Sequence, residues 1–384
     1  MKLLLVYDCI YPESLGGVEH RNYCLAQALA ERGHNVTVAG WGKTAHVPPP
    51  GVKLLFLAYR TTVHDGIGRR SAFASLRFAA AVARLDITSY DAIETANIPC
   101  IHIFPLALRC WLSRKKFIVT WYEFFGPYWD QYKGSAAVCF YRGVEWLCAQ
   151  VGHVNATSPL TGGRLAAARF GGGRNSVPII PCGVWLRDIQ EAMRVPASNA
   201  PSMLYAGRLI AEKRVDLLLH AVAKLSRSSS PMGCALLGIV GDGPDRPRLE
   251  ALAASLGIAD HVVFYGRFPE IMDMWRLLAG ARIAVQPSAR EGFGLFPLEA
   301  LALGRPVVIC ESADNAVGAI VRDGVEGLCT AAAPDALAAG LQSLLDDDML
   351  WSQMSNNASN RAILYDWPTI AERVEKFIQS CASV

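Results

Sequence analysis

At 384 residues the chain exceeds one ordinary domain, and two domains are expected. Hydrophobic residues make up 52% and charged residues 18%, a balance that excludes a disordered chain and fits an α/β enzyme with large cores. A net charge of +3 is too small to suggest nucleic acid as a partner.

Eleven cysteines, an odd number with no C-x-x-C pair, indicate neither a disulfide framework nor a zinc site. A reducing, cytoplasmic setting follows as the expectation. The apolar run of MKLLLVYDCI before Asp8 is too short for a signal peptide. No stretch of about twenty apolar residues lacks charge or proline, so no membrane span is expected.

In chain order, KLLLVYD predicts a first parallel strand, ESLGGVEH a loop, and the residues up to about Arg32 an amphipathic helix. Gly33 then caps that helix before a second strand, NVTVAG. Strand, Gly-rich turn, helix, strand is a Rossmann-like unit, but G-x-G-x-x-G is missing and a dinucleotide reading is weak. Further strands are predicted at 53–57, 92–95, 117–120 and 151–156, with helical segments between them. Residues 69–85 have helical period with Arg69, Arg70, Arg77 and Arg84, no acid, and Phe73, Leu76 and Phe78 between. Two readings stay open there: peripheral contact with an anionic membrane, or a solvated helix flanking a cleft. TWYEFFGPYWDQY, 120–132, is dense in aromatics and suits a sugar-stacking or acceptor wall.

Residues 186–200 are polar and run into Pro196-Ala-Ser-Asn-Ala-Pro201, which predicts a linker between a domain at 1–185 and another at 201–366. The final helix, 369–380, is expected to return to the first domain, which then includes 367–384. After the linker, strand Met203–Ala206 runs into Gly207-Arg208, a loop with Lys213, and an apolar-periodic helix. Two fixed cations beside a strand end suit a dianionic leaving group. ALLGIVGDGP predicts a strand ending in a tight turn at Asp242, and HVVFYGRFP another ending at Gly266-Arg267-Phe268.

The richest stretch is 281–308, ARIAVQPSAREGFGLFPLEALALGRPVV. A buried strand from Ile283 to Val285, a loop over 286–293, a helix from about Leu295 to Leu303, a Gly304 cap and a strand at 306–309 are predicted. Gly292 and Gly294 let the backbone approach a ligand, and the helix N-terminus behind them offers N–H groups to phosphate. Glu291 and Glu299 flank that seat, and carboxylates accept hydrogen bonds from sugar hydroxyls. Asp346-Asp347-Asp348 sits at a helix end with no strand before it and reads as a solvated turn, not a metal site.

EGFGLFPLEA, with a preceding strand-Pro-Ser and a following G-x-P-V-V, resembles the E-x7-E signature of retaining glycosyltransferases of the GT-B type, specifically glycosyltransferase family 4. GRLIAEK resembles the family's G-R-L-x-x-x-K, GGVE its GG-x-E loop, IPCGV its I-P-x-G-V segment, and VRDGVEGLC its closing hairpin-like segment. The resemblance covers nearly the whole chain, specifically in the C-terminal half and more loosely across 41–135.

It implies an α/β, GT-B fold: two Rossmann-like doubly wound domains facing a central cleft, the first for acceptor and the second for nucleotide-sugar. It implies a sugar transferred from a nucleoside diphosphate sugar, on UDP or GDP, to an acceptor hydroxyl with retention, in surface polysaccharide or glycolipid synthesis. The acceptor would be a saccharide, lipid-linked or small-molecule hydroxyl compound. Glu291, Arg208 and Lys213 are the implied catalytic residues. Donor binding falls to Gly16, Gly17, Gly207, Asp242, Gly266, Arg267, Gly292, Phe293, Gly294, Leu295 and Glu299, and acceptor binding to Tyr122, Glu123 and Asn97. No cofactor beyond the co-substrate and no metal are implied. Two positions depart from the pattern: Tyr122 stands where T-x-H-E places histidine, and Trp185 where an acid follows Gly-Val. A small-molecule natural-product transferase, an inactive nucleotide-sugar-binding homologue, a GT-B sugar epimerase and an enzyme coupling through nitrogen stay open as alternatives.

Overall fold

Near-continuous apolar runs without polar alternation make strands that are buried on both faces, and in this chain every long strand pairing is parallel. The computed structural model describes residues 1–14, 16–42, 47–58, 71–132, 135–171, 176–226 and 237–383. These form two compact units, Met1–Gly183 with Trp367–Val384, and Val184–Asp366. Arg69 and Arg70 lie outside the described residues, so the basic segment is seen from residue 71 onward.

The first unit runs β1 (Lys2–Val6), α1 (Gly17–Glu31), β2 (Asn35–Trp41), β3 (Val52–Ala58), α2 (Ala72–Val82), β4 (Ala92–Ala96), α3 (Ile103–Leu112) and β5 (Lys116–Trp121). It continues with α4 (Trp129–Tyr132), α5 (Ser135–Ala149), β6 (His153–Ala156) and α6 (Pro159–Ala168). The second unit holds α7 (Leu186–Arg194), β7 (Met203–Ala206), α8 (Val215–Leu225), β8 (Leu237–Val240), α9 (Arg246–Ser255), β9 (Val262–Gly266) and α10 (Ile271–Gly280). After these come β10 (Ile283–Gln286), β11 (Arg290–Glu291), α11 (Leu295–Ala302), β12 (Val307–Cys310), β13 (Asp314–Asn315), β14 (Gly327–Thr330), α12 (Pro334–Asp346) and α13 (Asp348–Ala362). The last helix, α14 (Trp367–Ser380), belongs to the first unit and packs on α1, where Arg32 meets Glu375 at 2.5 Å.

The two sheets share one plan. Their orders are β3-β2-β1-β4-β5-β6 and β14-β12-β10-β7-β8-β9, so in each the first strand is central and the strand order reverses beside it. The reversal falls between β1 and β4 in one unit and between β7 and β10 in the other. Loops leaving the carboxyl ends at such a switch point diverge and leave a crevice for ligand.

The structure revises several expectations. The GGVEH residues open α1 rather than a loop, with Gly16 as N-cap and Gly17 as the first helical residue. The polar stretch after 185 is no linker over most of its length, because 186–194 is the helix α7 of the second unit. Its buried Ile189 and Ala192 form one stripe against α10, and the remaining polar residues face outward, which is why composition alone suggested a linker. The closing VRDGVEGLC segment is a turn feeding β14, which adds as a parallel edge strand on β12 instead of folding as a hairpin. The loop at 286–293 contains β11, paired in parallel with β13.

The Asp346–Asp348 triple marks the α12–α13 junction. Asp347 is the N-cap of α13, its Oδ1 accepting from the Leu350 N–H at 2.9 Å, and Asp348 pairs with Arg282 at 2.6 Å. Asp347→Ala should therefore cost about 1 kcal/mol in chemical denaturation, the usual worth of a side-chain cap; an unchanged midpoint would show that the cap adds nothing.

Candidate active site

In the second unit, β7 ends at Ala206 and delivers Gly207, Arg208 and the turn carrying Lys213, while β10 ends at Gln286 and delivers the loop to Glu291. The ammonium of Lys213 forms an ion pair with Glu291 Oε2, so the switch-point crevice is bridged by one salt bridge. Gln286 Nε2 donates to the same carboxylate oxygen at 3.1 Å and to Ser288 Oγ at 2.9 Å. The loops are also tied through the backbone, the Ala289 N–H donating to the Glu212 carbonyl at 2.9 Å. From the far side Ser312 Oγ–H donates to the Ala289 carbonyl at 2.6 Å, and Asn315 Nδ2 to the Ser288 carbonyl at 3.0 Å. Glu291 is thus fixed from three directions with only a small part of its side chain exposed, whereas Arg208 is exposed at the strand end. The buried Tyr205 hydroxyl donates to the Arg208 carbonyl at 3.1 Å and props that turn from beneath.

Beyond Glu291 the chain passes Gly292 and the buried Phe293 to Gly294, the N-cap of α11, whose φ of +97° no β-carbon tolerates cheaply. Leu295 begins the helix, and no side chain caps it. Glu299 lies one turn in, buried, and burial pushes its carboxyl up to about 7 while the neighbouring Trp275 opposes the rise. Asp242 caps its own turn through a 2.8 Å bond from the Gly243 N–H, and its carbonyl accepts from the Leu209 N–H at 3.0 Å. The Gly241 N–H donates to the Gly266 carbonyl at 2.7 Å, and Arg267 follows, exposed. A β-carbon on Gly241 would stand 2.0 Å from the Gly207 carbonyl oxygen, so β7 and β8 meet here main chain to main chain. Gly207, Arg208, Lys213, Asp242, Glu291 and the Gly292–Leu295 turn all lie at or just beyond the carboxyl ends of strands of this one sheet.

In the first unit the switch-point residue is Asn97, just past β4. Its carboxamide is bound at both ends: Oδ1 accepts from the Tyr122 N–H at 3.1 Å and Nδ2 donates to the Glu123 carbonyl at 2.9 Å. Asn97 is buried and holds the backbone of the segment expected to meet an acceptor. Tyr122 is nine-tenths buried beside Arg21, whose guanidinium carbon stands 5.6 Å from the ring centre. Arg21 is fully buried and pairs with Glu94 at 2.9 Å; Glu94 also accepts from Thr120 Oγ1 at 2.7 Å, which in turn accepts from Asn155 Nδ2 at 3.0 Å. Burial pushes the Tyr122 phenol well above its ordinary value, with Arg21 opposing, so it is no base near neutral pH. Glu123 is half-buried.

The aromatic stretch is a packed corner more than an open wall. Phe125 lies 4.8 Å from Trp129, which stacks on Tyr141 at 5.0 Å. The buried Glu145 carboxylate holds the corner by accepting from the Phe125 and Gly126 N–H groups, each at 2.8 Å, and from Trp129 Nε1 at 2.9 Å. Among the described residues no group of three or more His, Cys, Asp or Glu is placed to hold a metal ion.

Residues 15–187 match the family model described as Glycosyltransferase Family 4, and residues 188–361 the model described as Glycosyl transferases group 1. The chain belongs to the group 1, family 4 glycosyltransferases. Over 168 residues it is 33% identical to the α-D-kanosaminyltransferase of Streptomyces kanamyceticus, covering 43% of this chain and 42% of that enzyme. Over 179 residues it is 36% identical to the D-inositol 3-phosphate glycosyltransferase of Frankia alni, covering 45% and 43%. The matched stretch therefore spans less than half the length of these curated relatives. Its fold is that of the sucrose-phosphate synthase from Thermosynechococcus elongatus, with a TM-score of 0.76 over 98% of both chains at 21% identity. It is also that of HepE from Anabaena, solved with UDP and glucose, with a TM-score of 0.74 over 99% of this chain and 100% of that one at 20% identity. At these identities the likeness shows the GT-B fold and nothing finer.

For a family 4 glycosyltransferase the residues that sequence patterns missed are instructive. Gln286, Asn315 and Glu145 fix the loops that carry the named residues, yet none belongs to a spaced motif. Trp185, in place of the family acid, is buried and carries the Arg187 guanidinium 3.9 Å over its ring.

Two outcomes follow for this glycosyltransferase. The Glu299 carboxyl binds its proton more tightly folded than unfolded, so its contribution to stability is complete below about 4.5 and lost as pH rises through about 7. Glu299→Gln should match the parent in thermal midpoint near about pH 5 and exceed it near about pH 8; the reverse ordering would mean the carboxyl is stabilised as the anion. Glu94→Leu strands Arg21 without its partner and should cost on the order of 3–5 kcal/mol in urea unfolding, and a near-neutral result would show that Arg21 reaches water.

Proposed function

We propose that this chain transfers a sugar from a nucleoside diphosphate sugar to an acceptor hydroxyl with retention of anomeric configuration. The Lys213–Glu291 pair across the switch point of the second unit, beside the exposed Arg208, carries this reading. Without donor, Lys213 is neutralised by Glu291. A diphosphate arriving at the crevice offers Lys213 a more highly charged partner, and the exchange releases carboxylate lone pairs of Glu291 to accept from hydroxyls of the transferred sugar. Gln286 holds Glu291 in place while its partner changes.

In the reaction the bond from the sugar's anomeric carbon to the diphosphate oxygen breaks and a bond to the acceptor oxygen forms on the same face. The acceptor proton passes to the departing phosphate. Arg208 and Lys213 stabilise the charge that develops there, with the uncapped N-terminus of α11 and the Gly292–Leu295 turn contributing main-chain N–H donors. Gly16 and Gly17, at the start of the fifteen-residue α1 that no side chain caps, are the donor-phosphate contacts we assign to the first unit. Glu299 would accept from the ribose hydroxyls, and Asp242, Gly266 and Arg267 would border the base. No metal is required where two cations face the leaving group.

HepE, which shares the fold, was solved with UDP and glucose, which supports a uridine or similar nucleotide as donor class. The name of the inositol 3-phosphate relative supports a hydroxyl-bearing cyclitol or saccharide acceptor, met by the Tyr122–Glu123 segment of the first unit, and the name of the kanosaminyl relative supports a hexose-type sugar as the transferred group. Synthesis of a surface polysaccharide or glycolipid on the cytoplasmic side is the setting we favour. No helix among the described residues is long and apolar enough to cross a membrane. A second reading, an inactive binding homologue, draws on Tyr122, a buried phenol where the family pattern has histidine.

Melting-point shifts with UDP, GDP, ADP, TDP and their sugar conjugates, in chelator, should pick out one nucleotide series. With that donor, Glu291→Ala should lower turnover by about 10²-fold or more while nucleotide affinity stays within a few-fold. Parent-like turnover in Glu291→Ala removes the central assignment, and nucleotide binding without turnover for any acceptor favours the inactive homologue.

A further inference from the structure

Right-handed crossovers place α2, α3 and α5 on one face of the first sheet and α1 on the other, where α14 covers it. The two faces differ sharply in what they show to solvent. Neither α1 nor α14 carries an exposed large hydrophobic residue. On the opposite face Phe73 of α2 is 69% exposed, Trp111 of α3 60% and Phe140 of α5 62%, with Leu112 and Trp146 also exposed beside them. Phe170, following α6, stands edge-on to Trp146 at 5.1 Å, so two aromatics at that end pack on each other in the open. Such a concentration of apolar side chains on one monomer face marks an interaction surface.

Its charge is one-sided. The three helices carry Arg77, Arg109 and Arg142, and the turn after α3 adds Arg114 and Lys115. Their only acid is Glu145, which is buried and occupied by three donors. Of the acids on adjoining segments, Asp86 accepts from the N–H and hydroxyl of Thr88, and Asp130 pairs with Arg142.

We infer that the α2–α3–α5 face seats the protein on an anionic lipid bilayer, its tryptophans and phenylalanines entering the headgroup boundary and its arginines meeting lipid phosphates. The membrane contact left open for residues 69–85 thereby becomes one edge of a three-helix surface, seen from residue 71 onward. Interfacial binding of this kind scales with buried apolar area and with attraction to anionic lipid, and both contributions are present. A second copy of the chain is the poorer occupant, because it would set two cationic faces against each other.

The test is co-sedimentation of the full chain with phosphatidylcholine vesicles made with and without phosphatidylglycerol. Binding is expected only with the anionic lipid and should weaken as salt is raised. The triple variant Trp111→Ser, Leu112→Ser, Trp146→Ser should bind about tenfold or more weakly, and Arg77→Glu should weaken binding further. Arg77→Glu should keep the parent melting point, since that side chain is solvent-exposed, and the triple variant should keep the parent far-ultraviolet circular dichroism while losing at most the small packing contribution of Trp146 on Phe170. Failure of the parent to bind, or equal binding by the triple variant, overturns the inference. So does a dimer in light scattering that the triple variant dissolves, which would assign the face to self-association.

Discussion

One ion pair joins the two loops that leave the switch point of the second unit. Parallel strands send all their carboxyl ends to one edge, and at the switch point the β7 and β10 loops leave in opposite directions. Left to themselves they would diverge. Lys213 and Glu291 draw them together, the Glu212–Ala289 backbone bond fixes their register, and Gln286 aligns the carboxylate. Desolvating such a pair is costly unless its geometry and extra hydrogen bonds compensate, and here the pair is only partly exposed and has Gln286 as an added donor. It is a poor source of net stability and a good way to hold two charges ready for a third.

The first unit solves a similar problem with neutral and ionic groups that never reach the surface. Arg21, Glu94, Thr120 and Asn155 form a buried chain linking α1, β4, β5 and β6 beneath Tyr122. Asn97 then clamps the backbone at 122 and 123, and Glu145 gathers the three donors of the aromatic corner. The network is held by specific partners, although Arg21 Nε and Nη2 and Asn155 Oδ1 are buried without one among the described residues, and the result is a segment at 122–126 whose backbone is fixed by side chains distant in sequence.

How much of this was legible in the sequence depends on the range of the interaction. Met203–Ala206 and the strand, glycine and helix succession of 283–310 were readable because apolar runs, positive-φ glycines and helix starts are local signals. That Lys213 and Glu291 sit beyond strand ends was readable, because each lies in its own short motif just after a predicted strand; that they pair was not. Gln286, Asn315 and Glu145 were not, since each acts through a contact that only the folded chain creates, and an isolated Gln or Glu carries no pattern. The α7 helix was hidden for another reason: one buried stripe in a polar segment beside two prolines looks like a linker until Ile189 and Ala192 find α10. The backbone contacts of Asn97 were also hidden, because its partners at 122 and 123 lie about 25 residues away in sequence.

Where Gly241 presses against the Gly207 carbonyl, the floor between β7 and β8 consists of main chain alone. Peptide groups are the same in every protein, so mutation cannot easily alter what this floor offers, and any side chain placed there is rejected on steric grounds. Divergence among descendants of this sequence is therefore channelled to the rim, to positions such as the exposed Arg267, where a side chain can change without moving the backbone. The scaffold separates what must stay constant from what is free to drift.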